Sequence, residues 1–561
     1  VPDLSRSEFL KITGVGIAGA VLPGASFADF GQVAAPTEVT EEQIKVALKL
    51  ANLSFADEEV KEMVGSVKGF GAMWPTLREV SKDAGFMGMN YRVVPDTIGP
   101  RQSSKRTMML TPPQVQRPES DEDLAFMSVM ELSALLRSKK VTSVELTTIY
   151  LNRLKKYGPK LRCVVNLCEE RALKQAALAD EKLQGRIHTV GLLCGIPFGV
   201  KDLFDAKGYP TTWGIRTRKD HIAEEDSDVV RLLERAGAVL VAKLSLGALA
   251  MGDVWFEGRT ESPWDARIGS SGSSAGSGSA VAAGLVPFAI GTETNGSLVS
   301  PAHNCRVTTL RPTFGSVSRD KAMALCWSLD KVGPLCRTAE DCALIFSVIA
   351  SNTGRDPGQI ERNFEYSKVE LSTLKWGYLV FKEEDVKSRI DDASRPWLKV
   401  LREMGIEPEP VYLPECPEGM DAILYAECAA AFESFTRSAD IQDLEGYSSW
   451  PETFRSGRLI PAVEYIQADR YRVILAKIYG DIIGKFDVLL ADDRLYPRIY
   501  GLNVTGIPQM LIPAGVDDRG RARSFSMVSP ILQESKMLSA AHQLQEKMGF
   551  HKLRPDMKIW E

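Results

Sequence analysis

Apolar residues follow three patterns along this chain, and each predicts a different kind of element. Helical spacing dominates from Thr37 to about Val80. Val39-Thr40-Glu41-Glu42 reads as a helix start with Thr40 as its cap, Ile44, Ala47, Leu48 and Leu50 mark an apolar face, and Ser54 to Glu59 reads as a second start. Further on, Ser128 stands three residues before Glu131, and Thr142 three before Glu145. Both are the capping-box arrangement, so two more helices begin there. The second pattern is the short continuous apolar run: Ile196 to Val200, Ala238 to Ala242, and Val488 to Leu490. Such runs, alternating with helical stretches, predict buried strands and a layered α/β domain. The third is a Gly/Ala-rich apolar stretch from Ile12 to Ala25, too short to span a bilayer. Residues 92–123 carry many prolines and polar groups and read as an extended strap or linker. The expected order is a leader (1–28), a helical extension (29–91), the strap (92–123) and one large α/β domain (124–561).

Composition narrows the function classes. The 561 residues are 44% hydrophobic and 25% charged, ordinary for a chain that buries a large core. The formal charge of −5, from 68 basic and 73 acidic residues, gives no reason to expect a nucleic-acid surface. Nine cysteines are scattered from Cys163 to Cys428 without a CxxC pair, and the five histidines show no metal-ligand spacing. Neither a zinc site nor a disulfide framework is expected. No cofactor is expected either.

The first residues read as an address. Arg6 and Lys11 flank Phe9-Leu10, the apolar stretch follows, and Ser26-Phe27-Ala28 offers a small-x-small cleavage site. That is the layout of a secretory signal. The text resembles a twin-arginine export signal with Ser7 in place of the second arginine. Export, with a periplasmic location, is the expectation, the alternative being an ordinary amphipathic first helix or a non-functional signal and a cytoplasmic location, and the mature chain should contain no membrane span.

Three short segments carry candidate chemistry. Lys201 ends Gly195-Ile196-Pro197-Phe198-Gly199-Val200-Lys201-Asp202, an apolar lead that would carry its ammonium away from water. Desolvation disfavours the charged form and makes a lysine usable as a general base. Ser271 to Ser279 is a Gly/Ser run, but Ala280 to Pro287 follows at once as a packable apolar segment that a flexible linker would not need. Ser297 closes Gly291-Thr292-Glu293-Thr294-Asn295-Gly296-Ser297. A turn through Thr294, Asn295, Gly296 and Ser297 can aim successive backbone N–H groups at one point, as an oxyanion hole requires.

These segments, in this order, resemble the amidase signature family over roughly the last four-fifths of the chain. Further stretches add to the resemblance: Trp255 to Thr260, Leu310 to Gly315, Asp330 to Leu335, and Asn503 to Pro508. The resemblance implies an α/β/α layered domain with a central mixed β-sheet. It also implies a catalytic triad of Lys201 as base, Ser273 in a cis peptide as relay, and Ser297, 24 residues after Ser273, as nucleophile. The implied partner is a small-molecule amide substrate, and a homodimer is left open. The helix pair of the extension is similar to the small helical subunit that wraps the amidase subunit of bacterial tRNA-dependent amidotransferases. Two alternatives therefore stand beside a self-sufficient amidase: an ammonia-generating glutaminase-type subunit, and a catalytically disabled binding protein.

The chain departs from the family's pattern at five positions: Glu293 for the usual Asp, Asn295 for a Gly, Val299 for a polar residue, and Arg306 and Thr309 where glycines are common. A glycine held at positive φ could not become threonine without strain, so the last two bear on stability and pocket shape. Two other motifs compete. Gly272-Ser273-Ser274-Ala275-Gly276 satisfies G-x-S-x-G with Ser274 as nucleophile, but Thr260 to Ser271 offers no apolar strand before it, and the histidine would have to be His542 or His551. Ser318-x-x-Lys321 satisfies S-x-x-K without a supporting Lys-Thr-Gly.

Overall fold

The structure is a computed structural model, and it describes residues 39–81, 110–185, 190–362, 364–380, 382, 395–444, 449–492 and 498–561. The expected leader and most of the strap lie outside the described residues. The described residues form two compact units.

The smaller unit comprises residues 39–81, 414–442 and 449–478. Its first helix, Glu41–Leu50, starts where the polar pattern predicts: Thr40 and Gln43 form a reciprocal capping box that satisfies two otherwise orphaned N–H groups. Ile44 and Leu48 bury against Val60 and Met63 of the second helix, Asp57–Ser81. That helix is long and amphipathic, and ion pairs tie it to buried groups of its neighbours. The buried Arg455 guanidinium donates to Glu59 (2.9 Å) and Glu62 (2.8 Å), and Arg78 donates to Glu464 (2.6 Å).

The larger unit is built on an eleven-stranded mixed sheet. In chain order its strands are β1 (Val164–Leu167), β2 (Pro197–Lys201), β3 (Val239–Leu244), β4 (Phe288–Glu293), β5 (Thr308–Arg311), β6 (Lys331–Cys336), β7 (Trp376–Val380), β8 (Glu409–Tyr412), β9 (Val488–Asp492), β10 (Gln509–Val516) and β11 (Ala522–Val528). Across the sheet they lie β1-β3-β2-β4-β6-β5-β10-β11-β9-β7-β8. β2 runs parallel to both β3 and β4, and most pairs through the middle are antiparallel. Strands β2 and β3 are buried along their whole length, which explains their continuous apolar text. The layered α/β fold with a mixed central sheet is as the patterns and the resemblance implied.

Helices start at the expected caps. Ser128 with Glu131 caps Val129–Arg137, and Thr142 with Glu145 caps Ser143–Leu161; both are complete capping boxes. The helix Ala275–Ala282 is buried at every residue. Its small residues let it lie close to the sheet: a Cβ on Gly276 would sit 2.5 Å from Cys163 O and from Ser245 N. Ser277 Oγ donates to Ile290 O of β4 (3.1 Å) and Ser279 Oγ to Glu261 O (2.8 Å). The Gly/Ser run is therefore a packed element. All nine cysteines are free thiols, eight of them buried. No helix among the described residues is long and apolar enough to cross a membrane.

Candidate active site

The neighbouring strands β2 and β4, with the segments that follow them, bring Lys201, Ser273 and the Ser297 turn to one end of the sheet. Lys201 is the last residue of β2 and is fully buried. β4 lies alongside in parallel, with Val200 opposite Ile290, so Thr292 follows at the same end. Lys201 Nζ donates to Thr292 Oγ1 at 2.9 Å and to Ser273 Oγ at 2.8 Å. Burial pushes the Lys201 ammonium down to about 7, against the opposing pull of the Asp330 and Glu293 carboxylates. A lysine so placed is substantially neutral near pH 7, and in that state Nζ can accept the Ser273 proton.

Ser273 follows a cis peptide bond from Gly272, as the resemblance implied. Its neighbour Ser274 has a different task. Ser274 Oγ donates to Thr292 O (3.0 Å) and accepts from Thr292 N–H (3.2 Å), while its own N–H donates to Ser297 O (3.2 Å). That hydroxyl is committed to both backbone groups of Thr292 in β4, which leaves the G-x-S-x-G reading without a nucleophile. The segment before it forms only a short ribbon, Glu261–Ser262 with Asp265–Gly269. His542 and His551 do not serve the motif either: His551 Nε2 pairs with Glu546 at 2.8 Å, and the acid nearest His542 Nε2 is Glu340, at 3.9 Å. Ser318 Oγ donates to the buried Asp228, and Lys321 pairs with Glu225 (3.1 Å), so the S-x-x-K pair is dispersed.

Ser297 is half-buried at the end of the turn after β4. Gly296 supplies the positive φ of +97° that the turn needs. Glu293 stands under this turn. Its Oε2 accepts the N–H groups of Leu298 (2.9 Å) and Val299 (3.1 Å), at the start of the helix Val299–Cys305. Its Oε1 accepts from Arg311 Nη1 (2.8 Å) and Asn503 Nδ2 (3.1 Å). Burial opposes ionisation of Glu293, but the Arg311 guanidinium and these hydrogen bonds outweigh it and hold the carboxyl below its ordinary value. With Glu293 taking the next two N–H groups, those of Asn295, Gly296 and Ser297 make no hydrogen bond among the described residues. The Ser297 hydroxyl likewise has no partner among them, so the Lys201–Ser273 link is present and a Ser273–Ser297 link is not.

Three of the remaining departures find local explanations, and nothing in the structure explains Asn295, which is exposed and takes no positive φ. Arg306 does adopt the left-handed conformation, φ +54°, as the cap of its helix. Its guanidinium stacks 4.4 Å over Trp264 and donates to Gly520 O (2.8 Å), contacts a glycine could not make. Thr309 lies in β5 at ordinary extended φ, and its hydroxyl donates to Pro334 O (2.9 Å). Val299 is buried in the core beside Leu298.

Several participants escaped the sequence patterns. Thr292 shares Lys201 with Ser273, Asp330 accepts from Thr294 Oγ1 (2.5 Å), and Lys331 is a second buried lysine that burial lowers to about 7. Asp202, next to the base, pairs with Lys243 at 2.8 Å in full burial and holds the Thr212 N–H. Only the parallel β2–β4 pairing could have pointed to Thr292.

Comparison with known proteins gives the family. The family model described as Amidase matches residues 145–472, a span that includes Lys201, Ser273 and Ser297. The A subunit of glutamyl-tRNA(Gln) amidotransferase from Coxiella burnetii (strain Dugway 5J108-111) is 30% identical over 482 residues, covering 77% of this chain and 99% of that protein. Its counterpart from Halorhodospira halophila (strain DSM 244 / SL1) is 31% identical over 484 residues, covering 76% and 99%. Native peptide amidase from Stenotrophomonas maltophilia superposes with a TM-score of 0.64 at 25% identity, over 75% of this chain and 97% of that one. The chain belongs to the amidase family and is an enzyme that acts on amides.

Proposed function

We propose that the protein hydrolyses a linear carboxylic amide through an acyl-enzyme on Ser297. The observation that carries this reading is the fully buried Lys201, lowered to about 7 and 2.8 Å from Ser273 Oγ. Ser297 Oγ attacks the amide carbonyl and gives its proton to Ser273, whose own proton moves to neutral Lys201 Nζ. The new C–O bond leaves a tetrahedral oxyanion, which the N–H groups of Asn295, Gly296 and Ser297, with Thr294 at the head of the turn, would hold. Collapse breaks the C–N bond as the proton returns through Ser273 to the leaving nitrogen. Water then attacks the ester by the same relay and releases the carboxylic acid. We also propose that residues 1–28 direct export, the periplasm being the place of action.

A second reading has one observation in its favour: the 30%-identical relatives are amidotransferase subunits. In that reading the ammonia released from glutamine would pass to a partner. Turnover by Lys201→Ala, Ser273→Ala and Ser297→Ala variants tests the first reading. Each should lose about 10³-fold or more in kcat with an unchanged melting temperature. Normal turnover by folded Ser297→Ala would sink it, and glutaminase activity appearing only with an added partner would favour the second.

A further inference from the structure

Beside the relay lies a cavity of about 340 Å³ whose wall includes Thr292, the partner of Lys201, and Thr294, at the head of the proposed oxyanion turn. Its size suits a group of about the bulk of an arylalkyl chain. The rest of the wall is mostly of two kinds. Leu203, Ala250, Met323, Leu325, Trp327 and Val332 present carbon. Five more are charged, Arg319, Asp320, Asp330, Arg355 and Asp356, and small residues and a proline fill the remainder.

None of these charges is idle. Arg319 Nε donates to Asp356 Oδ2 (3.0 Å), and its Nη1 to Trp327 O. Arg355 Nε donates to Asp320 Oδ2 (2.9 Å), and its Nη2 to Glu225 Oε2 (2.9 Å). Asp330 accepts from Thr294 Oγ1 (2.5 Å), Leu325 N–H (2.8 Å) and Cys326 N–H (3.0 Å). Among the described residues of this wall, every cation already has a carboxylate. A substrate carboxylate could pair there only by drawing Arg319 away from Asp356, or Arg355 away from Asp320 and Glu225, leaving an aspartate or glutamate uncompensated, and breaking such a pair costs more than the new contact returns. A substrate ammonium would have to displace the Thr294 hydroxyl or the N–H groups of the loop 325–326 from Asp330, whose oxygens hold them in place.

We infer that this pocket receives a neutral, predominantly apolar substituent of the amide, and that it discriminates against amides bearing a carboxylate or an α-ammonium, glutamine included. The inference rests on the reading of Ser297 as the nucleophile only for its consequence in turnover; the binding preference belongs to the pocket itself. Trp327, half exposed at the wall, and Met323 supply adaptable apolar surface. The Arg319–Asp356 pair sets the rejection of anions.

The test is calorimetric titration of the Ser297→Ala protein with 4-phenylbutyramide, succinamic acid and L-glutamine. The neutral amide should bind tighter than either charged one by about 100-fold. Trp327→Ala should weaken the neutral amide, whereas Asp356→Asn, which releases Arg319, should raise succinamate affinity about tenfold. Competition by the same three amides against fluorophosphonate labelling of the unsubstituted enzyme gives the ordering without relying on any variant's folding. Equal or tighter binding of glutamine or succinamate overturns the inference, as does failure of all three to bind or compete. A neutral preference in a protein whose Ser297 resists the probe would uphold the pocket and remove the nucleophile, so the two ideas fail separately.

Discussion

Glu293 and Arg311 are both fully buried and meet at 2.8 Å beneath the turn that carries Ser297. The pair gives a physical role to a departure from the family pattern. The longer acid reaches the two N–H groups after the turn with one oxygen and Arg311 with the other. The acid's countercharge comes from β5, and Val299 meets it only through its backbone N–H while its side chain is buried in the core.

Removing one partner of this pair should cost far more than an ordinary surface ion pair. Arg311→Met leaves Glu293 buried without its guanidinium, and we expect a loss of about 3–5 kcal/mol in denaturant unfolding. Glu293→Gln keeps hydrogen-bonding capacity toward Arg311 but loses charge; it should cost less in stability while lowering kcat more than it raises KM. An Arg311→Met protein of unaltered stability would show that the pair is not an anchor.

The pH profile follows from Lys201. Its folded value of about 7 lies below that of an ordinary lysine, about 10.4. Below pH 7 the group is protonated and cannot take the Ser273 proton; above it the group is neutral. So kcat/KM should rise with pH up to about 7 and level off beyond it. The same shift means that the folded chain binds fewer protons than the unfolded one between about 7 and 10.4, so this group's contribution to stability grows with pH across that window. Lys331 is lowered to about 7 as well but does not touch Ser273. A Lys331→Met variant should keep the acid limb, and its disappearance there would move the base to Lys331.

Ser274→Ala separates two adjacent serines. It removes the bridge to both backbone groups of Thr292, at a cost of about 1–3 kcal/mol in stability, yet the probe should still modify Ser297. Probe attached at Ser274 in the unsubstituted protein would revive the G-x-S-x-G reading.

Arg455 tests the helical extension. It is buried and paired with Glu59 and Glu62, so Arg455→Met should lower amide-exchange protection along Asp57–Ser81. Unchanged protection would show that these pairs do not hold the helix.

Local signals carried the helix starts well, because capping needs only residues three apart: Thr40, Ser128 and Thr142 each cap as their spacing demands. Buried strands also showed, since β2, β3 and β9 are near-continuous apolar text. Strand order did not, because no local feature of Lys201 says that Thr292 will lie beside it. The Glu293 network was hidden for the same reason: Arg311 and Asn503 lie 18 and 210 residues away. Segments 414–442 and 449–478 read as part of the long α/β stretch, yet they cluster with the residues 39–81. Their helices carry their own apolar faces, and sequence spacing says nothing of which neighbour those faces meet.

The most direct measurement is labelling of the purified protein with a fluorophosphonate probe, with the modified residue located by mass spectrometry and Lys201→Ala as the control. Modification at Ser297 that is lost in Lys201→Ala is the predicted result. A folded protein that takes no probe at Ser297, or takes it equally without Lys201, would contradict the lysine-driven acyl-enzyme.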